Sequence, residues 1–131
     1  MEESLVTLLT LFVSILFVGM AAFQVLLSLG LPLGEFAMGG YFKVLPKKLR
    51  VVSLLNAIIL LGMFLVYLKN ANLISGFEFL PIPILVWVIT IFLGLNTIAN
   101  LASRSKKERY VMTPIAGVAF LVCLLLALSE I

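Results

Sequence analysis

Apolar residues run along the chain in four long stretches, spanning residues 5–29, 51–68, 84–102 and 110–128. None shows the two-residue alternation of a half-buried strand. Each is close to the roughly 20 residues that a helix needs to cross about 30 Å of hydrocarbon. The pattern predicts an all-α, integral membrane, antiparallel four-helix bundle, forming a single transmembrane domain over residues 1–131. Proline punctuation agrees with these bounds. Pro46 precedes the second stretch, and Pro81 and Pro83 open the third, where a missing N–H has no intrahelical partner to lose. Pro114 falls inside the fourth and predicts a kink near its start.

Polar positions break the pattern in two ways. The first is the segment 30–50, which holds Gly30, Gly34, Gly39, Gly40, Pro32, Pro46 and a single acid, Glu35. Its other residues are too apolar for a solvated linker: Leu31, Leu33, Phe36, Met38, Tyr41 and Phe42. It is expected to form an ordered lid or re-entrant cap that carries Glu35 towards Arg50 or Arg109. The second is a shorter turn at 103–109. There Ser105-Lys-Lys-Glu108 fits a capping box, with Glu108 reaching back to the Ser105 amide. The remaining connection, 69–83, is turn-rich, and Phe77, Phe79 and Trp87 stand where an interfacial aromatic belt would lie.

Polar residues inside the stretches are not scattered. Gln24, Ser53, Asn56, Asn96, Asn100 and Ser103 all fall in the half of their helix nearest the two turns, with Ser28 and Thr113. In an antiparallel bundle these ends meet at one level. An unpaired amide is costly in hydrocarbon, so each must face the bundle interior. Two readings stay open. The amides are interhelical glue, or they line a polar chamber for a ligand. Interhelical hydrogen bonds gain only about 0.6 kcal/mol each on average, enough to explain one or two amides but not four at one depth. At the start of the first helix, Ser4, Thr7, Thr10 and Ser14 can return their hydroxyls to that helix's own carbonyls.

Charge then orients the bundle. The 131 residues are 63% hydrophobic and only 11% charged, against about 25% charged in soluble domains. Of nine Lys and Arg, four lie in the first turn (Lys43, Lys47, Lys48, Arg50) and four in the second (Arg104, Lys106, Lys107, Arg109). Lys69 stands alone on the other side. The positive-inside rule places segments 31–50 and 103–109 in the cytoplasm and both termini outside. The first stretch lacks the basic start of a signal peptide and reads as a retained helix. Lys47, Lys48, Lys106 and Lys107 are placed to meet anionic lipid headgroups of the bilayer, so the basic excess does not call for nucleic acid. The protein counterparts to expect are a second copy of the chain or a membrane partner subunit.

Reactive chemistry is thin. Histidine and aspartate are absent and Cys123 is the one cysteine. Serine triads, metal sites and disulfides lack their usual parts. No catalytic residue, metal or cofactor is expected, and Gly39-Gly40 is not followed by the Lys-Ser/Thr of a phosphate loop. A lipid-acting membrane enzyme is the weakest reading. The candidate ligand-binding or gating residues are Glu35, Arg50, Asn56, Asn96, Asn100, Arg109, Gln24, Ser53 and Ser103. They suit a membrane protein that binds or transports a small polar or amphipathic ligand, or a lipid headgroup, at the cytoplasmic end. The alternative is an accessory or structural subunit whose polar cluster only fixes the bundle.

Two sets of residues carry a resemblance. The first is Gly30-x-Pro32-x-Gly34-Glu35 with Gly39-Gly40, Leu45-Pro46, Leu49-Arg50 and Ser53. The second is Asn96-x-x-x-Asn100 with Ser103, Ser105, Glu108-Arg109 and Pro114. Together they resemble a group of small, uncharacterised four-span bacterial membrane proteins, over nearly the whole chain. The resemblance implies a multi-pass protein of the bacterial inner (plasma) membrane and no particular substrate.

Overall fold

A computed structural model describes residues 2–129; Met1, Glu130 and Ile131, part of the expected 1–131 domain, lie outside them. The described residues are helical, in the order α1 (Glu3–Ser28), α2 (Lys47–Asn70), α3 (Ile82–Leu101) and α4 (Thr113–Leu128). A π turn, Glu108–Met112, leads directly into α4, and two 3-10 turns, Gly34–Phe36 and Met38–Gly40, occupy the α1–α2 loop. All four helices are long and apolar enough to span a membrane, α4 counted together with its π turn. They fit a multi-pass membrane protein.

Their outward faces explain the composition. Leu8, Ile15, Ile58, Ile84, Val88 and Ile98 are all more than half exposed, which is tolerable where the surrounding solvent is itself hydrocarbon. The inward faces meet in one core built from Val13, Phe17, Met63, Tyr67, Leu93 and Leu126, among others. Phe17 and Tyr67 pack with ring centroids 5.6 Å apart. Contact is uneven around the ring of helices. α1 packs mainly on α2 and α3 mainly on α4, while the α2–α3 and α1–α4 seams are sparse. The bundle is therefore two tight hairpins set loosely side by side.

Helix ends follow local chemistry. α1 stops in a Schellman turn, with Gly30 at φ 88° and the Leu31 amide bonded to the Leu26 carbonyl at 3.3 Å. α2 ends the same way on Asn72 at φ 58°. α2 starts four residues earlier than its apolar stretch, so Lys47, Lys48 and Arg50 sit in its first turn rather than in a loop. Pro114 is taken up by the π turn before it, whose wider bonding ring relieves the clash a proline makes with the preceding turn. Hydroxyls behave unevenly. Thr90 and Thr97 bond back to Val86 and Leu93, whereas the buried Thr10 and Ser14 hydroxyls, expected to do likewise, have no hydrogen-bond partner among the described residues.

Candidate functional site

The α1–α2 loop folds back over the basic end of the bundle, and its apolar residues explain why. Leu27, Ala37 and Leu45 form a second small core with Phe23, Leu33, Met38 and Leu49 around it. Burying these side chains gives the loop its own hydrophobic anchor to the end of α1. The expected ordered cap is present.

Four contacts fasten this cap to the α3–α4 turn. The Ser105 hydroxyl donates to the Glu35 backbone carbonyl at 2.5 Å. The Lys107 ammonium meets the Glu35 carboxylate at 2.6 Å. The Gly39 amide donates to Glu108 Oε1 at 3.2 Å. The Arg104 guanidinium lies 3.9 Å from the centre of the Tyr41 ring. The glycine pair has a steric reason to be there. Met38, Gly39 and Gly40 all have positive φ, at 51°, 80° and 73°. A side chain at Gly40 would also collide with Ser105.

Contrary to the expectation from the sequence, Glu35 pairs with neither Arg50 nor Arg109. Lys107 is its partner, and that ammonium, by hydrogen bond and charge, holds the Glu35 carboxyl below its ordinary value. Arg50 is committed elsewhere: its Nε donates to the Leu45 carbonyl at 3.0 Å, and its guanidinium fills the space beside Gly30 that a side chain there would need. Arg50 thus clasps the two ends of its own loop. The Arg109 guanidinium lies 5.1 Å from the Tyr110 ring centre, and its Nε has no hydrogen-bond partner among the described residues. Lys107, expected with the other three lysines at the lipid headgroups, pairs with Glu35 yet stays exposed, as Lys47, Lys48 and Lys106 do.

Under the cap lies a cleft of about 340 Å³. Gln24, Asn56, Asn96, Asn100 and Ser103 all line it, so five of the nine candidates come together at one level. Glu35, Arg50, Ser53 and Arg109 do not line it. Ser53 is fully buried with its hydroxyl unpartnered among the described residues. The ceiling is the loop itself, Phe36 to Gly39. Asn56, Asn96 and Asn100 make no hydrogen bond or ion pair to any described residue. The Gln24 side-chain oxygen is buried and also unpartnered there. Ser103 is half engaged, accepting from the Ser105 amide at 3.1 Å.

One residue of the cleft was misread from the sequence. Glu108 does not reach back to the Ser105 amide. Only the other half of the capping box forms: the Glu108 amide donates to the Ser105 hydroxyl at 3.3 Å. The carboxylate turns instead into the cleft, 6% exposed, and takes the Gly39 amide of the cap. It is the one charged side chain lining the cleft among the described residues.

A second cleft, of about 450 Å³, continues from the first along the α2–α3 seam. The two share Met20, Gln24, Asn56 and Asn96. Beyond these its walls are apolar: Ile59, Leu60, Met63, Val88, Ile89, Phe92 and Leu93. The sparse contact between the hairpins thus leaves a slot that begins polar under the cap and becomes apolar towards the middle of the bundle.

No protein family, curated protein or solved structure matches this chain.

Proposed function

We propose that this chain binds a small polar or amphipathic ligand in the chamber beneath the α1–α2 loop, as a multi-pass protein of the bacterial inner membrane. One observation carries this reading. Three asparagines at one depth face a shared cleft without bonding one another or any described residue. Glue would pair them, because the gain of an interhelical amide lies in the bond it makes. Half-buried amides that line one cleft without protein partners are free for something else to bond. The amphipathic class follows from the continuous slot, polar at the basic end and apolar along the α2–α3 seam. Transport would follow if the cap releases the ligand towards the basic side, which the positive-inside rule assigns to the cytoplasm. Among the exposed basic residues on that side, Lys47, Lys48, Lys106 and Lys107 would meet anionic headgroups.

Asn100→Leu separates binding from glue. The purified protein would be placed in nanodiscs and titrated with a fluorescent single-chain amphiphile, with thermal melting followed in parallel. Binding should be lost while the melting temperature holds or rises, because no bond is broken and an unpartnered polar group is removed. A variant that melts clearly lower and binds the probe as before would make the cluster structural, and the accessory-subunit reading would replace this one. A cysteine at Lys47 should react with an impermeant maleimide only from the cytoplasmic side; labelling from outside would reverse the topology.

A further inference from the structure

The polar chamber has a charged wall, and the evident basic residues do not supply it. Eight of the nine Lys and Arg lie in the two segments at this end of the bundle, so an anionic ligand is the obvious guess. None of the eight lines the cleft. Lys107 is held by Glu35, Arg104 by the Tyr41 ring and Arg50 by the Leu45 carbonyl. Among the described residues the only charge that faces the cleft is the Glu108 carboxylate. Among the described residues no cation lies within ion-pair distance of it. It is more than nine-tenths buried, and just one of its oxygens is engaged, by the Gly39 amide.

The neighbouring groups are acceptors as well. The buried Gln24 side-chain oxygen has no partner among the described residues, and the three asparagines each add a carbonyl oxygen. Phe23 and Phe36 contribute aromatic rings to the same walls, and ring faces attract cations. A buried carboxylate without a counterion is costly and gains most from a positive partner. A primary ammonium brings three donors to such a ring of acceptors.

Resting on the binding reading above, we propose that the ligand is a primary amine in its ammonium form on a hydrocarbon chain. Glu108 and Gln24 take the ammonium under the cap, and the α2–α3 slot, between Ile59, Met63, Val88 and Phe92, takes the chain. The same chemistry is offered by a free long-chain amine and by the amino end of a lipid headgroup. Glu108 also holds the cap through Gly39, so the group that receives the cation is the group that keeps the loop closed.

The test is competition binding to the full-length protein in nanodiscs, with radiolabelled decylamine as probe and protein-free discs as blank. Saturable binding is expected. Unlabelled decylamine should displace the probe, decyl phosphate should not, and decanol should be weaker by about tenfold, the scale of one charged hydrogen bond. Methylamine should need far higher concentrations than decylamine, because it leaves the slot unfilled. Lysophosphatidylethanolamine competing better than decylamine identifies the headgroup source, and the reverse order the free amine; either order is within the proposal. Glu108→Gln should abolish the preference for decylamine over decanol. Ser105→Ala, which loosens the cap but keeps the carboxylate, should weaken both ligands together and preserve the ratio.

A preference for decyl phosphate, or an unchanged ratio in Glu108→Gln, would overturn the charge assignment while leaving amphiphile binding intact. Equal displacement by methylamine and decylamine would remove the slot from the site. Failure of every probe, with Asn100→Leu indifferent to all of them, would bring down the binding reading itself.

Discussion

Replacing Ser105 by Ala removes one hydroxyl that serves two bonds. It donates to the Glu35 carbonyl at 2.5 Å and accepts from the Glu108 amide at 3.3 Å. Both groups would lose their protein partner at a half-buried junction. The loss of such a helix-start hydroxyl costs roughly 0.5–2 kcal/mol, and a stranded donor or acceptor about 1–3 kcal/mol when fully buried. Partial access to water argues for about 1–2 kcal/mol here. The neighbouring ion pair makes the contrast. Lys107 and Glu35 are nearer, at 2.6 Å, but their side chains are 59% and 40% exposed, so solvent and salt screen what they gain. The shorter contact should therefore matter less. Hydrogen exchange in nanodiscs can read this at the cap, where the Ala37, Gly39 and Gly40 amides bond to Gly34, Glu108 and Ala37. Ser105→Ala should lower their protection by about 5–30-fold, the ratio that 1–2 kcal/mol sets. Lys107→Met should leave it within experimental scatter, and core amides such as those of Leu60 and Leu93 should not change in either variant. A larger loss of protection in Lys107→Met than in Ser105→Ala would refute the reasoning, and show that charge rather than the shared hydroxyl docks the loop.

Gly40→Ala should open the cap more fully. Its φ of 73° lies in the left-handed region, which costs an L-residue about 1–2 kcal/mol, and the new methyl would press on Ser105; limited proteolysis in the segment 36–44 should speed up while the helices stay intact. Acid should loosen the cap in a defined window. The folded Glu35 carboxyl is lowered from its ordinary 4.5, by Lys107 first and by Lys43 more weakly. Its contribution is therefore fully present above the ordinary value and disappears as pH falls through the lowered one. Protection factors measured against pH should show this step, small and erased by salt, and Glu35→Gln should flatten it. An identical step in that variant would assign the titration to another group.

Much of the architecture was legible because membrane helices announce themselves by length and composition, and the four helices fall within a few residues of the apolar stretches. The chamber was half legible for a related reason. A polar residue in hydrocarbon must face inward, so five polar side chains at one depth had to converge, whatever the helix tilts. The charged residues obeyed no such rule. Arg50, Lys107, Glu35 and Glu108 lie where water or loop backbone can satisfy them, and several partners were sterically open to each. Spacing on a helix cannot choose among partners supplied by a loop that arrives from 70 residues away.

Glu108 shows why the most consequential residue of the site was read as a mere cap. A capping box assumes regular α geometry from its first residue. Pro114, six positions on, makes that geometry unfavourable, and the chain answers with the π turn Glu108–Met112. One extra residue in a turn rotates what precedes it by about 100° relative to the helix that follows. The carboxylate is then displaced from the Ser105 amide, which finds Ser103 instead. It points into the cleft where Gly39 descends to meet it. Proline, π turn, inward carboxylate and left-handed glycine are thus linked in sequence, each making room for the next. Pro114→Ala offers the chain a regular helix, and with it the capping box first expected. In that variant Glu108 should return to the Ser105 amide, Gly39 should lose its protection, and the preference for an ammonium over a neutral headgroup should fall together with it. Persistence of that preference in a helix shown to be regular would mean that the π turn is incidental to the site.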